Sequence, residues 1–174
     1  IIHAIRSGEG LQSTIETPPE YGKYHYDGHR LCNFSCSPEE TKKLNGICPI
    51  CKKQLTIGVD YRVEEIAKYS RTHQFLNKKP FYKILPLHEV IALNFNTGIE
   101  SKRSWEVYNS LIGKFDNELN ILLNIEKLDL VKEKFDEKLI DLIIKNRIGN
   151  IKIKPGFDGE YGVPELGEKQ KKLF

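Results

Sequence analysis

The spacing of apolar residues changes several times along the chain, and each change predicts an element. Ile1, Ile2 and Ile5 have helical spacing that Ser7-Gly8-Glu9-Gly10 stops, so the chain opens on the last turn of a helix. Leu11 to Ile15 reads as extended. Thr17-Pro18-Pro19 is barred from helix because each proline pushes its predecessor toward extended backbone. Tyr21 to Arg30 shows no helical period and predicts a loop or irregular strand. Ser37 is a good N-cap, Pro38 suits the first helical position and Glu40 closes a capping box. The short helix they start turns Leu44 inward and stops at Asn45-Gly46. Gln54 to Val59 alternates like a strand.

Beyond residue 60 the pattern is mostly helical. Asp60 caps a helix with Val63, Ile66 and Ala67 on one face, and the polar stretch from Ser70 to Pro80 reads as a linker. Pro86 opens a helix with Leu87, Val90 and Ile91 inward. Ser101 caps another that buries Trp105, Tyr108, Ile112 and Phe115, and Asp136 begins a third striped by Leu139, Ile140, Ile143 and Ile144. Lys154 to Gly162 holds three glycines and a proline in nine positions, which predicts a loop. The expected fold class is α+β, mainly α: a small four-cysteine zinc-knuckle domain followed by a helical domain. The expected boundaries are 1–17 (tail of an upstream domain), 18–60 (zinc-binding) and 61–174 (helical, with the Gly-rich loop and tail).

Composition narrows the class. Hydrophobic residues at 39% and charged residues at 29% are those of a globular chain. No apolar run approaches the roughly 20 residues that cross a bilayer, so no membrane is expected as a partner. The first residues are too short and interrupted for a secretory signal, which points to the cytoplasm. The sequence contains no methionine, so it reads as a piece of something longer. A net charge of +3 neither demands nor excludes a nucleic-acid partner, because clustering matters more than the total.

The cysteines cluster strongly. Cys32, Cys36, Cys48 and Cys51 fall within twenty residues, whereas a disulfide framework spreads its cysteines to staple distant loops. Two short-spaced pairs supply four thiolates to a tetrahedral ion, and the cofactor expected is one structural Zn(2+). The first pair has the less common x3 spacing. His29 lies three positions before Cys32 and His25 is nearby, so a histidine can replace one thiolate. Four protein ligands close such a site and leave no position for an activated water.

Catalytic patterns are absent from the rest. The position four beyond His88 is Ala92, so His88-Glu89 starts no zinc-protease motif, and no phosphate-binding glycine motif or nucleophile elbow is present. Lys23, Tyr24, His25, His29 and Arg30 form an aromatic, basic strip before the cysteines. Such residues stack on unpaired bases and contact phosphates, or else pack against the knuckle. Lys102 and Arg103 place two cations at a helix N-terminus suited to a phosphate, or belong to an ordinary helical hairpin. The tail residues Gln170, Leu173 and Phe174 begin like a sliding-clamp-binding peptide that stops before its second aromatic.

Several stretches together carry a resemblance. Pro18-Pro19-Glu20-Tyr21-Gly22-Lys23-Tyr24-His25, the two cysteine pairs, Ile57-Gly58-Val59 with Arg62-Val63-Glu64-Glu65, Leu85-Pro86-Leu87-His88-Glu89 and Pro155-Gly156-x-Asp158-Gly159-x-Tyr161-Gly162 occur in that order. The order resembles the C-terminal region of endonuclease Q and related phosphoesterases of the PHP superfamily, often labelled UvrD-like helicases. The resemblance implies a DNA repair endonuclease acting on deaminated bases, with its catalytic metal ligands in an upstream domain. It implies a DNA-engaging role without catalysis for this chain, DNA as partner and a clamp-binding tail. The alternatives are a structural or protein-interaction module, or an accessory region of a helicase.

Overall fold

The computed structural model describes residues 1–67 and 79–165. In chain order the helices are α1 (Ile2–Ser7), α2 (Pro38–Lys43), α3 (Val59–Ile66), α4 (Leu87–Phe95), α5 (Lys102–Phe115), α6 (Glu118–Leu123), α7 (Lys127–Lys132) and α8 (Glu137–Arg147), the last five consecutive, and six three-residue strands lie before and after that run. These are β1 (Thr14–Glu16), β2 (Asp27–His29), β3 (Phe34–Cys36), β4 (Phe81–Lys83), β5 (Lys152–Lys154) and β6 (Val163–Glu165), and they form three separate two-stranded sheets. The fold is α+β and mainly α. Its described residues form two compact units, one of 1–17 and 79–151 and the other of 18–67 and 152–165.

The helical unit is built on a conventional apolar core. Leu85, Leu87, Val90, Ile91, Leu111, Ile121, Leu122, Leu130, Leu139, Ile140 and Ile143 are each at most 1% exposed. α4 packs on α5 and α8, and α6 and α7 pack on α8. The expected inward stripe of α4 and most of that of α8 are buried. Buried Asn146 of α8 holds the segment just before α4 by a paired amide contact, accepting from Leu85 N and donating to Leu85 O, both at 2.8 Å. β1 pairs in parallel with β4.

The face of α5 differs from its expected one. Leu111 and Ser104 are buried, while Trp105 stays half exposed at 46%. The Trp105 ring lies parallel to His88 at 6.4 Å and edge-on to Tyr108 at 5.2 Å, so aromatic neighbours hold it outside the core. Ser104 can be buried because its hydroxyl meets those of Ser101 and Thr97 at 2.8 and 3.0 Å.

The other unit is small and stitched by backbone hydrogen bonds. β2 pairs antiparallel with β3, and β5 with β6. Ser37 caps α2 with the expected capping box. Gln54 to Val59 forms no strand: only single bridges occur, Ile47 with Gln54 and Gly28 with Thr56, because each residue meets a different short segment. α3 starts at Val59 after Gly58, without the expected Asp60 cap, and Val63 and Ile66 face solvent. The Gly-rich segment, expected within the helical part, belongs to this unit. Its Gly156 N donates to Glu20 O at 2.9 Å, and its Gly162 N donates to Tyr21 O at 3.0 Å. Both glycines sit where a Cβ would collide with backbone of residues 20–22, so only glycine permits this approach. The expected linker residues 70–78 lie outside the described residues.

Candidate metal centre

Two turns meet to form a donor cluster. In the first, β2 ends at His29, a single 3-10 turn carries Arg30–Cys32, and Asn33 adopts φ 46° to lead into β3. In the second, Cys48 N donates to Lys53 O at 2.8 Å and Lys52 N donates to Cys48 O at 3.0 Å, with Lys52 at φ 62°. The turns bring His29, Cys32, Cys48 and Cys51 together with ligand atoms all within 4.8 Å of one another. His29 Nδ1 lies 3.1 Å from Cys32 Sγ and 3.3 Å from Cys51 Sγ.

This donor set fits a tetrahedral metal ion. Ligand bonds of about 2.0–2.3 Å place neighbouring donors roughly 3.5–3.8 Å apart, and the separations here, 3.1 and 3.3 Å from His29 with all four atoms within 4.8 Å, lie around that range. The protonation chemistry agrees. Burial pushes the Cys48 thiol up, but N–H groups of Cys51 and Ile50 and the neighbouring thiols outweigh it and bring Cys48 down to about 7. Cys32 is pushed up to about 11 by burial and then by Cys51 and Cys48. Thiolates this close repel one another, and a cation is what lets them all ionise.

The set differs from the four-cysteine expectation in one member. The structure does not bring Cys36 into the group. Cys36 Sγ lies 3.2 Å from Thr41 Oγ1, only 4% exposed, and forms a small core with Cys48 and Leu55. Burial is the largest influence raising its thiol, which favours S–H over thiolate. In the β2–β3 register Cys36 faces Asp27, two residues before His29, so the fold supplies His29 from the strand opposite. The signal was in the spacing: His29-x2-Cys32 repeats Cys48-x2-Cys51, whereas Cys32-x3-Cys36 does not.

The aromatic, basic strip runs alongside. Lys23 Nζ lies over the rings of Tyr24 and Tyr161 at 5.8 and 5.7 Å, and His25 stacks on Tyr26 at 5.3 Å. The Gly-rich loop fastens the strip through Asp158, a residue the sequence reading had not assigned. Asp158 accepts from Arg30 N at 2.6 Å and from Thr56 Oγ1 at 2.7 Å. Burial opposes its charge, but these two donors and the nearby His29 and Arg30 hold its carboxyl below the usual range.

The other expected contacts lie elsewhere. Lys102 and Arg103 are in the helical unit, where Lys102 pairs with Glu106 at 3.7 Å and Arg103 stacks over Phe95 at 4.1 Å. Gln170, Leu173 and Phe174 lie outside the described residues. Among the described residues no helix is long and apolar enough to cross a membrane.

The chain has known counterparts in sequence and in structure. Residues 86–150 match the MJ0043 C-terminal domain family. The chain is 35% identical over 144 residues to the uncharacterized protein MJ0043 of Methanocaldococcus jannaschii, covering 83% of this chain and 18% of that protein. In structure it is similar to the lesion-specific endonuclease PfuEndoQ from Pyrococcus furiosus, with TM-score 0.81 and 25% identity, over 99% of this chain and 44% of that one. Endonuclease Q in complex with a 27-mer duplex substrate bearing an abasic lesion at the active site matches with TM-score 0.77 and 25% identity, again over 99% and 44%. The chain thus spans under half the length of the endonuclease Q structures and about a fifth of MJ0043.

Proposed function

We propose that this chain is the metal-bearing, DNA-engaging part of an endonuclease Q-like DNA repair nuclease of the PHP type, acting on deaminated bases. The observation that carries the reading is the likeness to endonuclease Q across 99% of the chain. Local chemistry supports it: a closed donor set holds Lys23, Tyr24 and Arg30 on one small scaffold suited to phosphates and bases. His29, Cys32, Cys48 and Cys51 would hold the ion, which is proposed to be zinc because thiolate and imidazole donors in tetrahedral array favour it. Bound there, the ion organises the turns, and strand cleavage in the parent protein is assigned to residues outside this sequence.

The experiment is a fluorescence titration of labelled duplex and single-stranded DNA with the metal-loaded chain at low salt, beside elemental analysis. Micromolar binding to DNA and one zinc per chain are expected. Lys23→Ala is expected to weaken binding and lower the salt slope by about one. No binding to any DNA at micromolar protein overturns the reading in favour of a structural or docking module.

A further inference from the structure

The metal-bearing unit contains an open groove of ≈ 330 Å³. Phe157, 6% exposed, and Tyr161, 65% exposed, are among its lining residues. Arg30, Asn33, Lys154 and Glu160 line it as well. Their polar groups are largely unspent. Lys154 and Asn33 make no side-chain hydrogen bond or ion pair among the described residues. Arg30 reaches Glu160 only at 3.8 Å, with both side chains more than half exposed, so water weakens that pair. Among the lining residues two cations, Arg30 and Lys154, meet one carboxylate, Glu160, and Lys23 lies over the Tyr161 ring at 5.7 Å from outside the lining.

An apolar lining residue, an aromatic ring that stays largely exposed beside Lys23, and surplus positive charge select a flat, apolar-faced ligand that carries an anion. A nucleotide has that chemistry. The volume, at the small end for ligand sites, admits one base and not a base pair, and only an unpaired base offers a free ring face. We propose that the groove takes one unpaired nucleotide of a DNA strand, with its base on Tyr161 and its phosphate between Arg30 and Lys154. The proposal rests on the DNA-engaging reading and locates where a single strand is held.

The test uses the full metal-loaded chain, labelled oligothymidine and a duplex of matched length. Tyr161→Ala is expected to weaken single-strand binding about tenfold, the loss typical of one stacked base, while Tyr161→Phe retains it. Duplex affinity of Tyr161→Ala is expected to change less than twofold. Lys154→Ala is expected to lower the single-strand salt slope by about 0.7. Should the unaltered chain bind no DNA, the DNA-engaging reading falls and the groove assignment with it. Should it bind single strands while Tyr161→Ala and Lys154→Ala bind them equally well, only the groove assignment falls. Equal losses on duplex and single strand also overturn it, because they mark a general backbone contact. If Tyr161→Ala melts or loses its metal, exposed Lys154 decides the matter alone.

Discussion

At the scale of single residues, six candidate ligands, four cysteines with His25 and His29, lie near one another in sequence and the geometry chooses four. Cys36→Ser is expected to retain one metal per chain, because its thiol meets Thr41 and lies outside the group, whereas Cys48→Ser and His29→Ala are expected to lose it. Elemental analysis after dialysis separates these outcomes; metal loss from Cys36→Ser with retention in His29→Ala would restore the four-cysteine set. The cysteine cluster was plain in the sequence because metal ligands crowd together. The geometry puts His29 where the four-cysteine expectation had Cys36, because the choice depends on which residues the β2–β3 register places on the metal side. Tyr108 gives a second test, in the helical unit. Its hydroxyl donates to Glu118 Oε2 at 3.0 Å, and burial followed by that carboxylate raises its pKa above 10.0. A group with a raised folded pKa contributes stability below the unfolded value that is lost as pH rises through the folded one. The helical unit is therefore expected to weaken above pH 10 more steeply in the unaltered chain than in Tyr108→Phe. Parallel alkaline limbs in chemical denaturation would contradict this.

At the scale of elements, signals that act within a few residues were the most legible. The capping box at Ser37 and Glu40, the Ser101 cap and the stripes of α4 and α8 are readable because helix ends and apolar periods are local. α5 turned differently because Trp105 had aromatic partners outside the core, and nothing in its own segment announces His88. The Gly-rich loop is a longer-range case. Its glycines were legible as a turn, but their true constraint is the backbone of residues 20–22, more than a hundred positions earlier. That contact gives the Pro-Glu-Tyr-Gly and Gly-rich stretches a common physical cause. Gly162→Ala, whose Cβ would meet the Glu20 carbonyl, is expected to destabilise the metal-bearing unit by about 1–3 kcal/mol. Gly98→Ala, with open space around its Cβ, is the control and is expected to leave stability nearly unchanged. Thermal melting of the two variants checks the contrast.

At the scale of the whole molecule, the two units owe their stability to different things. Eleven apolar side chains at most 1% exposed hold the helical unit, whereas the buried apolar cluster around the metal site consists of Cys36, Cys48 and Leu55 with partly buried Cys32, Phe34, Leu44 and Cys51 against it. Three of those seven belong to the candidate donor set, so an ion bound there and the core would be nearly the same object. A structural zinc site contributes on the order of 10 kcal/mol of folding free energy, and without it the unpaired thiols repel and the turns lose their anchor. A chelator added to the intact chain is therefore expected to release protection in residues 18–60 while the amides of α4, α5 and α8 stay protected. The Gly-rich loop should open with the first set, because its Gly159 N and Asp158 bond to Lys23 and Arg30 in the metal-bearing unit. Hydrogen exchange read by mass spectrometry distinguishes the cases, and restoring zinc is expected to recover the protection. Simultaneous loss of protection in both sets would mean that one cooperative core spans the chain, and uniform retention would mean that the knuckle stands on backbone hydrogen bonds alone.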